Sequence, residues 1–243
     1  MKVQKSFIPS IFTVFNLFSG FLAILEIFHG RYITGIVLIM VAAIFDGLDG
    51  KVARRLQQVS EFGIEFDSLA DIVSFCVAPS ILINILFASE LGFIGRILSF
   101  FPLLFGGVRL ARFNIQKTGE KMLYYTGLPV PVNAITIGSF IWFHDKLFGS
   151  YGDPKIILPM VVVLSFLMVS HIRVSPVPKI SFHKGIFTIT KSIFIIVAFL
   201  LMIIFPGYTI FPVFGAFIVT QLLIWMVGYE EPRLHFSIRR KGR

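Results

Sequence analysis

The chain has 243 residues, of which 56% are hydrophobic and only 14% charged, with a formal net charge of +9 and a mean hydropathy of +0.87. Soluble domains carry about 25% charged residues, so this composition excludes a soluble globular protein and indicates an integral membrane protein of one domain, at most two. The basic excess is scattered among apolar stretches, which fits topology signals and anionic headgroups and argues against nucleic acid as a partner. The single cysteine, Cys76, excludes an internal disulfide and a Cys-based zinc site, and it reads as a packing residue.

Met1 to Ser6 forms a short basic leader with Lys2 and Lys5. The apolar run from about Ile8 to Phe28 is long for a signal-peptide core and has no small-x-small cleavage site, so a retained first span is expected. Within it Ser10, Thr13, Asn16, Ser19 and Gly20 recur at helical spacing and mark a face turned to the protein interior. His29-Gly30-Arg31 makes a tight turn. The second apolar run, about Tyr32 to Phe45, is short for a crossing, so its helix is expected to continue through Asp46 and Asp49 toward Arg55. Leu56 to Glu61 is the connecting turn, with Ser60 as N-cap and Glu61 in the first turn of the next helix. The third span covers about Phe62 to Ala88, with a kink expected at Pro79.

Glu90-Leu91-Gly92 marks the next turn, and the fourth span extends to about Val108. It ends in Arg109-Leu110-Ala111-Arg112-Phe113-Asn114, followed by a polar loop to Thr126. Gly127-Leu128-Pro129-Val130-Pro131 opens a fifth span reaching roughly Phe143, and His144 to Lys155 reads as a turn. A sixth span, about Ile156 to Ser170, leads into a basic loop from His171 to Lys184. Two further spans, about Gly185 to Phe205 and Tyr208 to Val227, flank Pro206-Gly207, and a basic tail runs from Tyr229 to Arg243. The expected fold is all-α: a polytopic transmembrane helix bundle of about eight spans in a single domain, a six-helix core plus two C-terminal helices.

Of the 22 Lys and Arg residues, only Arg31, Arg96, Lys146 and Lys155 fall on the side opposite the aspartates. The positive-inside rule therefore places both termini and the aspartates on the cytoplasmic side of a cell membrane. No internal repeat is evident, which weakens a transporter built from duplicated halves.

The stretch from Asp46 to Asp71, DGLDGKVARRLQQVSEFGIEFDSLAD, organises the rest. Asp46 and Asp49 are spaced i, i+3, while Asp67 and Asp71 are spaced i, i+4, so on a helix each pair projects from one face. Gly50 and Ala53 join the first face; Gly63, Ala70, Ser74 and Ala78 join the second. Four carboxylates converging near a membrane repel one another and are costly to desolvate. Hard cations among them relieve both problems, and oxygen-only ligands suit Mg²⁺ or Mn²⁺ rather than zinc. The residues taken one at a time also read as helix caps or water-facing groups.

Asp46-x-x-Asp49-Gly50-x-x-Ala53-Arg54, eight residues, Gly63-x-x-x-Asp67-x-x-x-Asp71 resembles the CDP-alcohol phosphotransferase signature at every fixed position. The resemblance implies a membrane enzyme that joins a CDP-linked alcohol to a second alcohol, releases CMP and needs a divalent metal. It implies that Asp46, Asp49, Asp67 and Asp71 bind two metal ions and that Asp71 also serves as the general base. Gly50, Ala53 and Gly63 lack bulk and so let the nucleotide approach the helix backbones. Arg54 is similar to the family arginine near the CDP moiety, and Asn16 faces the same end of the bundle, either as a CDP-binding contact or as a helix-to-helix hydrogen bond. Family members are commonly homodimers.

Ser60-Glu61-Phe62-Gly63, Asp67-Ser68-Leu69-Ala70-Asp71, Val73-Ser74-Phe75, Arg109 to Asn114 and Gly127-Leu128-Pro129 are similar to blocks of the membrane-bound phosphatidylserine synthases. The likeness covers about residues 9 to 135. Cys76 stands where glycine is expected and Ile64 where lysine is common, neither of them a signature position. This subfamily implies CDP-diacylglycerol and L-serine as substrates. Arg109 and Arg112 then suit the serine carboxylate or a lipid phosphate, with Asn114 beside them, because guanidinium groups bind such anions in two-pronged fashion. Other acceptors, glycerol phosphate or inositol phosphate, remain open within the family. An ion- or proton-coupled transporter using membrane carboxylates as a relay remains open outside it.

Overall fold

A computed structural model describes residues 11–56, 60–117, 125–174 and 185–227. The expected leader, much of the 115–126 and 171–184 loops and the basic tail lie wholly or partly outside them. Helix α1 (Ile11–Phe28) turns at Gly30, whose φ of 77° suits a residue without a side chain, into α2 (Tyr32–Leu56). The second apolar run continues as one helix through both aspartates, as its short apolar length required. The α1–α2 hairpin is tight: a Cβ on Gly35 would fall 2.6 Å from Ile27 and 3.1 Å from the Ala23 carbonyl. Small residues let helices approach closely where lipid supplies no hydrophobic drive for association.

The third rod begins at α3 (Glu61–Asp71), capped by Ser60, whose hydroxyl accepts from Gly63 N–H at 3.0 Å. Directly after Asp71 the helix widens into a π turn, Ile72–Val77, then returns to α4 (Ala78–Ile83) and widens again at Asn84–Ala88. The expected irregularity at Pro79 is thus a pair of wide turns flanking the proline. Pro79 has no N–H and sits in the first turn of α4, where the missing donor costs least. The Ala78 N–H reaches back to the Val73 carbonyl, the five-residue step of a π turn.

A 3₁₀ turn (Ser89–Leu91) and Gly92, at φ 58°, lead into α5 (Gly92–Lys117), so the Arg109–Asn114 stretch is helical. Cys76 packs here: a Cβ on Gly106 would lie 2.4 Å from its Sγ, so glycine on α5 accommodates the larger residue on the third rod. Helix α6 (Val130–Phe148) runs five residues past the expected end at Phe143 and stops at Gly149, which adopts the left-handed conformation at φ 67°. The turn expected from His144 therefore shrinks to the few residues before α7 (Pro154–Val169), which Asp153 caps through the Lys155 N–H. A two-residue antiparallel ladder, β1 (Tyr125–Thr126) with β2 (Arg173–Val174), ties the α6 entrance to the α7 exit. Gly127 and Leu128 donate to Ile172 and Leu167 carbonyls, both at 2.9 Å. Helices α8 (Gly185–Ile204) and α9 (Pro206–Met226) follow, with Phe211 of α9 stacked edge-on against Phe140 of α6 at 5.0 Å.

The described chain is an all-helical bundle of eight rods, apart from that short ladder. Five of them, Ile11–Phe28, Tyr32–Val52, Glu61–Ala88, Gly92–Ile115 and Pro206–Met226, are long and apolar enough to cross a bilayer, which makes this a multi-pass membrane protein. Phe75, Ile39, Leu82, Ile137 and Val161 fill the interior, while Phe18, Phe21, Ile97 and Phe166 are exposed, as lipid-facing side chains are.

Candidate functional site

The site forms where α1, α2, α3 and α5 meet at the motif end of the bundle. The α2 helix carries Asp46, and α3 carries Asp67 and Asp71 one helical turn apart. One oxygen from each of these three carboxylates lies within 4.8 Å of the other two. Asp71 is buried and the other two are partly so. Carboxylates this close repel strongly in a low dielectric. A donor set made only of oxygen at this spacing fits a hard divalent cation. The residues present therefore fit the metal that the signature implies.

Asp49 stands outside this triad. It lies on α2 one turn beyond Asp46, it is buried, and its Oδ2 accepts a hydrogen bond from the Thr13 hydroxyl of α1. The four expected ligands are thus divided three and one, the fourth held by the first helix. Helix α1 also reaches the triad itself: Asn16 is fully buried and its Nδ2 donates to Asp71 Oδ1 at 3.0 Å. The Ser74 hydroxyl in turn donates to the Asn16 carbonyl at 3.0 Å, fixing α1 against the π turn. Both α1 contacts come from the polar face visible in the sequence, Thr13 and Asn16 being spaced i, i+3. No role was legible for Thr13, because its partner is 36 residues away.

Gly63 is held in the first turn of α3 by its bond to Ser60, and Gly50 is exposed on α2. Ala53 and Arg54 belong to α2, but their side chains fall outside the described residues.

The Arg109–Asn114 stretch splits into three separate jobs. Arg109 is buried, lies within electrostatic reach of Asp71, and its guanidinium carbon stands 6.0 Å from the centre of the Phe113 ring. Arg112 instead donates from a terminal guanidinium nitrogen to the Val169 carbonyl at 2.8 Å, at the C-terminal end of α7. Asn114 bonds α3: its Nδ2 donates to Ser68 Oγ at 3.0 Å and to Glu65 Oε2 at 3.3 Å. The two arginines thus have different neighbours, and Ser68 and Glu65 lie beside Asn114. Their i, i+3 spacing on α3 was readable, but the partner on α5 was not.

A family model described as CDP-alcohol phosphatidyltransferase matches residues 6–167, ending within α7. Among similar proteins, the CDP-diacylglycerol--serine O-phosphatidyltransferase of Helicobacter pylori (strain ATCC 700392 / 26695) is 31% identical over 219 residues, 90% of each chain. The archaetidylserine synthase of Methanothermobacter thermautotrophicus is 39% identical over 176 residues, 71% of this chain and 72% of that one. The CDP-diacylglycerol--serine O-phosphatidyltransferase of Bacillus subtilis (strain 168) is 31% identical over 168 residues, 69% of this chain and 89% of that one. With the carboxylate triad in place and the match spanning most of the bundle, this chain belongs to the CDP-alcohol phosphatidyltransferase family.

Proposed function

We propose that this protein transfers the phosphatidyl group from CDP-diacylglycerol to the hydroxyl of L-serine, giving phosphatidylserine and CMP. The observation that carries this reading is the Asp46, Asp67 and Asp71 cluster, in a chain whose relatives named for serine transfer align over most of its length. Asp46, Asp67 and Asp71 would hold divalent ions, two Mg²⁺ or Mn²⁺, with Asp49 assisting from the next turn of α2. Bound there, such ions supply charge neutralisation for the pyrophosphate and for the departing CMP oxygen.

The chain's own groups supply the rest. Asp71 accepts the proton of the serine hydroxyl as that oxygen forms its bond to the phosphorus carrying the diacylglycerol. The bond from that phosphorus to the bridging pyrophosphate oxygen breaks, and the electron pair leaves with CMP. Gly50, Ala53 and Gly63 leave room for the nucleotide, and Arg54, by its place in the signature, is assigned to the CDP moiety. Arg109, buried and close to Asp71 in electrostatic terms, takes the serine carboxylate. The active site and both termini face the cytoplasm, in keeping with the distribution of Lys and Arg, and the protein works as a homodimer.

Purified protein, given CDP-diacylglycerol, Mg²⁺ or Mn²⁺ and a panel of serine, glycerol phosphate and inositol phosphate, tests the reading. CMP release and a phosphatidylserine product with serine alone are expected. Faster turnover with another acceptor would overturn it. The 39% identity to an archaetidylserine synthase favours a second reading of the donor, with isoprenoid-ether chains in place of acyl chains. The same assay with each CDP-lipid decides between them.

A further inference from the structure

We infer that Asn16 is the group that recognises the ammonium of the acceptor, and so a residue that sets the enzyme's preference for a vicinal amino alcohol. The inference rests on the serine-transfer reading above. Asn16 is wholly buried, and its amide has two ends with different fates. The Nδ2 end donates to Asp71 Oδ1 at 3.0 Å. Because a carboxylate oxygen needs a donor there, this contact fixes which end of the amide is nitrogen. The Oδ1 end has no hydrogen-bond partner among the described residues. A buried carbonyl oxygen left unmatched costs about as much as a lost hydrogen bond, so an acceptor kept beside the reacting carboxylate points to a ligand donor.

Oδ1 belongs to the same planar amide as the nitrogen that bonds Asp71, so an acceptor docked at Asp71 comes within its neighbourhood. A molecule whose hydroxyl gives its proton to Asp71 can therefore offer Asn16 a donor on the neighbouring carbon. Serine carries an ammonium there. A carbonyl oxygen among carboxylates suits a cation with N–H donors, and repels the phosphate that glycerol phosphate or inositol phosphate would bring. With Arg109 on the carboxylate, the three substituents of the serine α-carbon each meet a different group: Asp71 through the hydroxymethyl, Asn16 and Arg109. Three-point contact of this kind fixes one hand of the amino acid.

The test compares L-serine with 3-hydroxypropionate, which keeps the hydroxyl and carboxylate but lacks the ammonium, in wild-type protein and in Asn16→Ala and Asn16→Ser. Both substitutions also release Asp71, so both acceptors should slow. The expected result is that kcat/KM for L-serine falls at least tenfold more than for 3-hydroxypropionate, the measure of one lost charge-assisted contact. Equal losses for the two acceptors would make Asn16 a positioning residue for Asp71 only, and would overturn the inference. Equal turnover of both acceptors by the wild type would overturn it as well, whether or not the variants fold. Wild-type protein that releases CMP with another acceptor but not with serine would instead sink the serine-transfer reading, and this inference with it.

Discussion

Gly20 and Ser74 leave no space for a side chain between α1 and the π turn: a Cβ on Gly20 would lie 2.2 Å from Ser74 Oγ and 2.7 Å from Ser74 Cα. One of those obstacles is backbone and cannot rotate aside. Gly20→Ala should therefore push α1 away and lengthen the Asn16–Asp71 contact one turn further along. We expect a loss of about 1–3 kcal/mol, the usual cost of overpacking, seen as a lower unfolding temperature in detergent, together with slower turnover. An unchanged unfolding temperature would show that the two helices are not held at this distance.

The division of the aspartates makes a graded prediction. Asp46→Asn and Asp67→Asn should each abolish turnover and remove the stabilisation that Mg²⁺ or Mn²⁺ gives in a thermal shift. Asp49→Asn should also lose turnover, while keeping more of that metal-dependent shift, because Thr13 rather than the triad holds its carboxylate. Full activity in any of the three at saturating metal and substrate would remove it from the site.

Arg109 and Arg112 should fail differently. Arg109→Ala is expected to raise the serine KM about ten- to a hundred-fold, with a much smaller change for CDP-lipid, as for one charge-assisted contact. Arg112→Ala frees the end of α7 and should lower thermal stability while moving both KM values together. Steady-state kinetics with each substrate varied in turn would separate the two, and a serine-selective effect at Arg112 would place it in the acceptor site beside Arg109.

Asp71→Asn keeps size and one oxygen but cannot take a proton. CDP-lipid affinity should stay within a few-fold while single-turnover CMP release collapses. Wild-type-like release would rule Asp71 out as the base. Loss of CDP-lipid binding along with turnover would leave it a metal-holding residue only.

Orientation can be read with one engineered thiol. The native Cys76 is fully buried, so background labelling from outside should be low. Gln58→Cys, between α2 and α3 in the sequence, should resist an impermeant maleimide in intact cells and react once the membrane is opened. Labelling in intact cells would place the aspartates on the outer face.

The elements that sequence could define are those whose signals are local. Ser60 with Gly63, the run of α2 through Asp46 and Asp49, and the i, i+4 pair Asp67 and Asp71 all follow from spacing within a few residues. The α6 helix was underestimated because His144, Asp145 and Lys146 look like a loop, although Gly149 is the residue that stops it. What remained hidden is contact between distant segments. Nothing in the spacing says that Thr13 meets Asp49, that Asn114 meets Ser68, or that Arg112 turns away to Val169. Those pairings depend on which helix lies beside which, and polar side chains within a few residues of one another can take quite different partners.

The π turn at Ile72–Val77 fixes something about length as well as shape. A π turn holds about one residue more than the α-helical turn it replaces. Deleting one residue there would restore a regular ladder and leave the helix beyond at nearly the same phase relative to Asp71, whereas a deletion from a regular α turn would swing it by about 100°. Point substitutions inside Ile72–Val77 change only side chains and leave this phase intact. The wide turn absorbs a one-residue difference in length, so among homologues the count of residues from Asp71 to Pro79 should differ by at most one, with a regular α turn wherever the residue is missing.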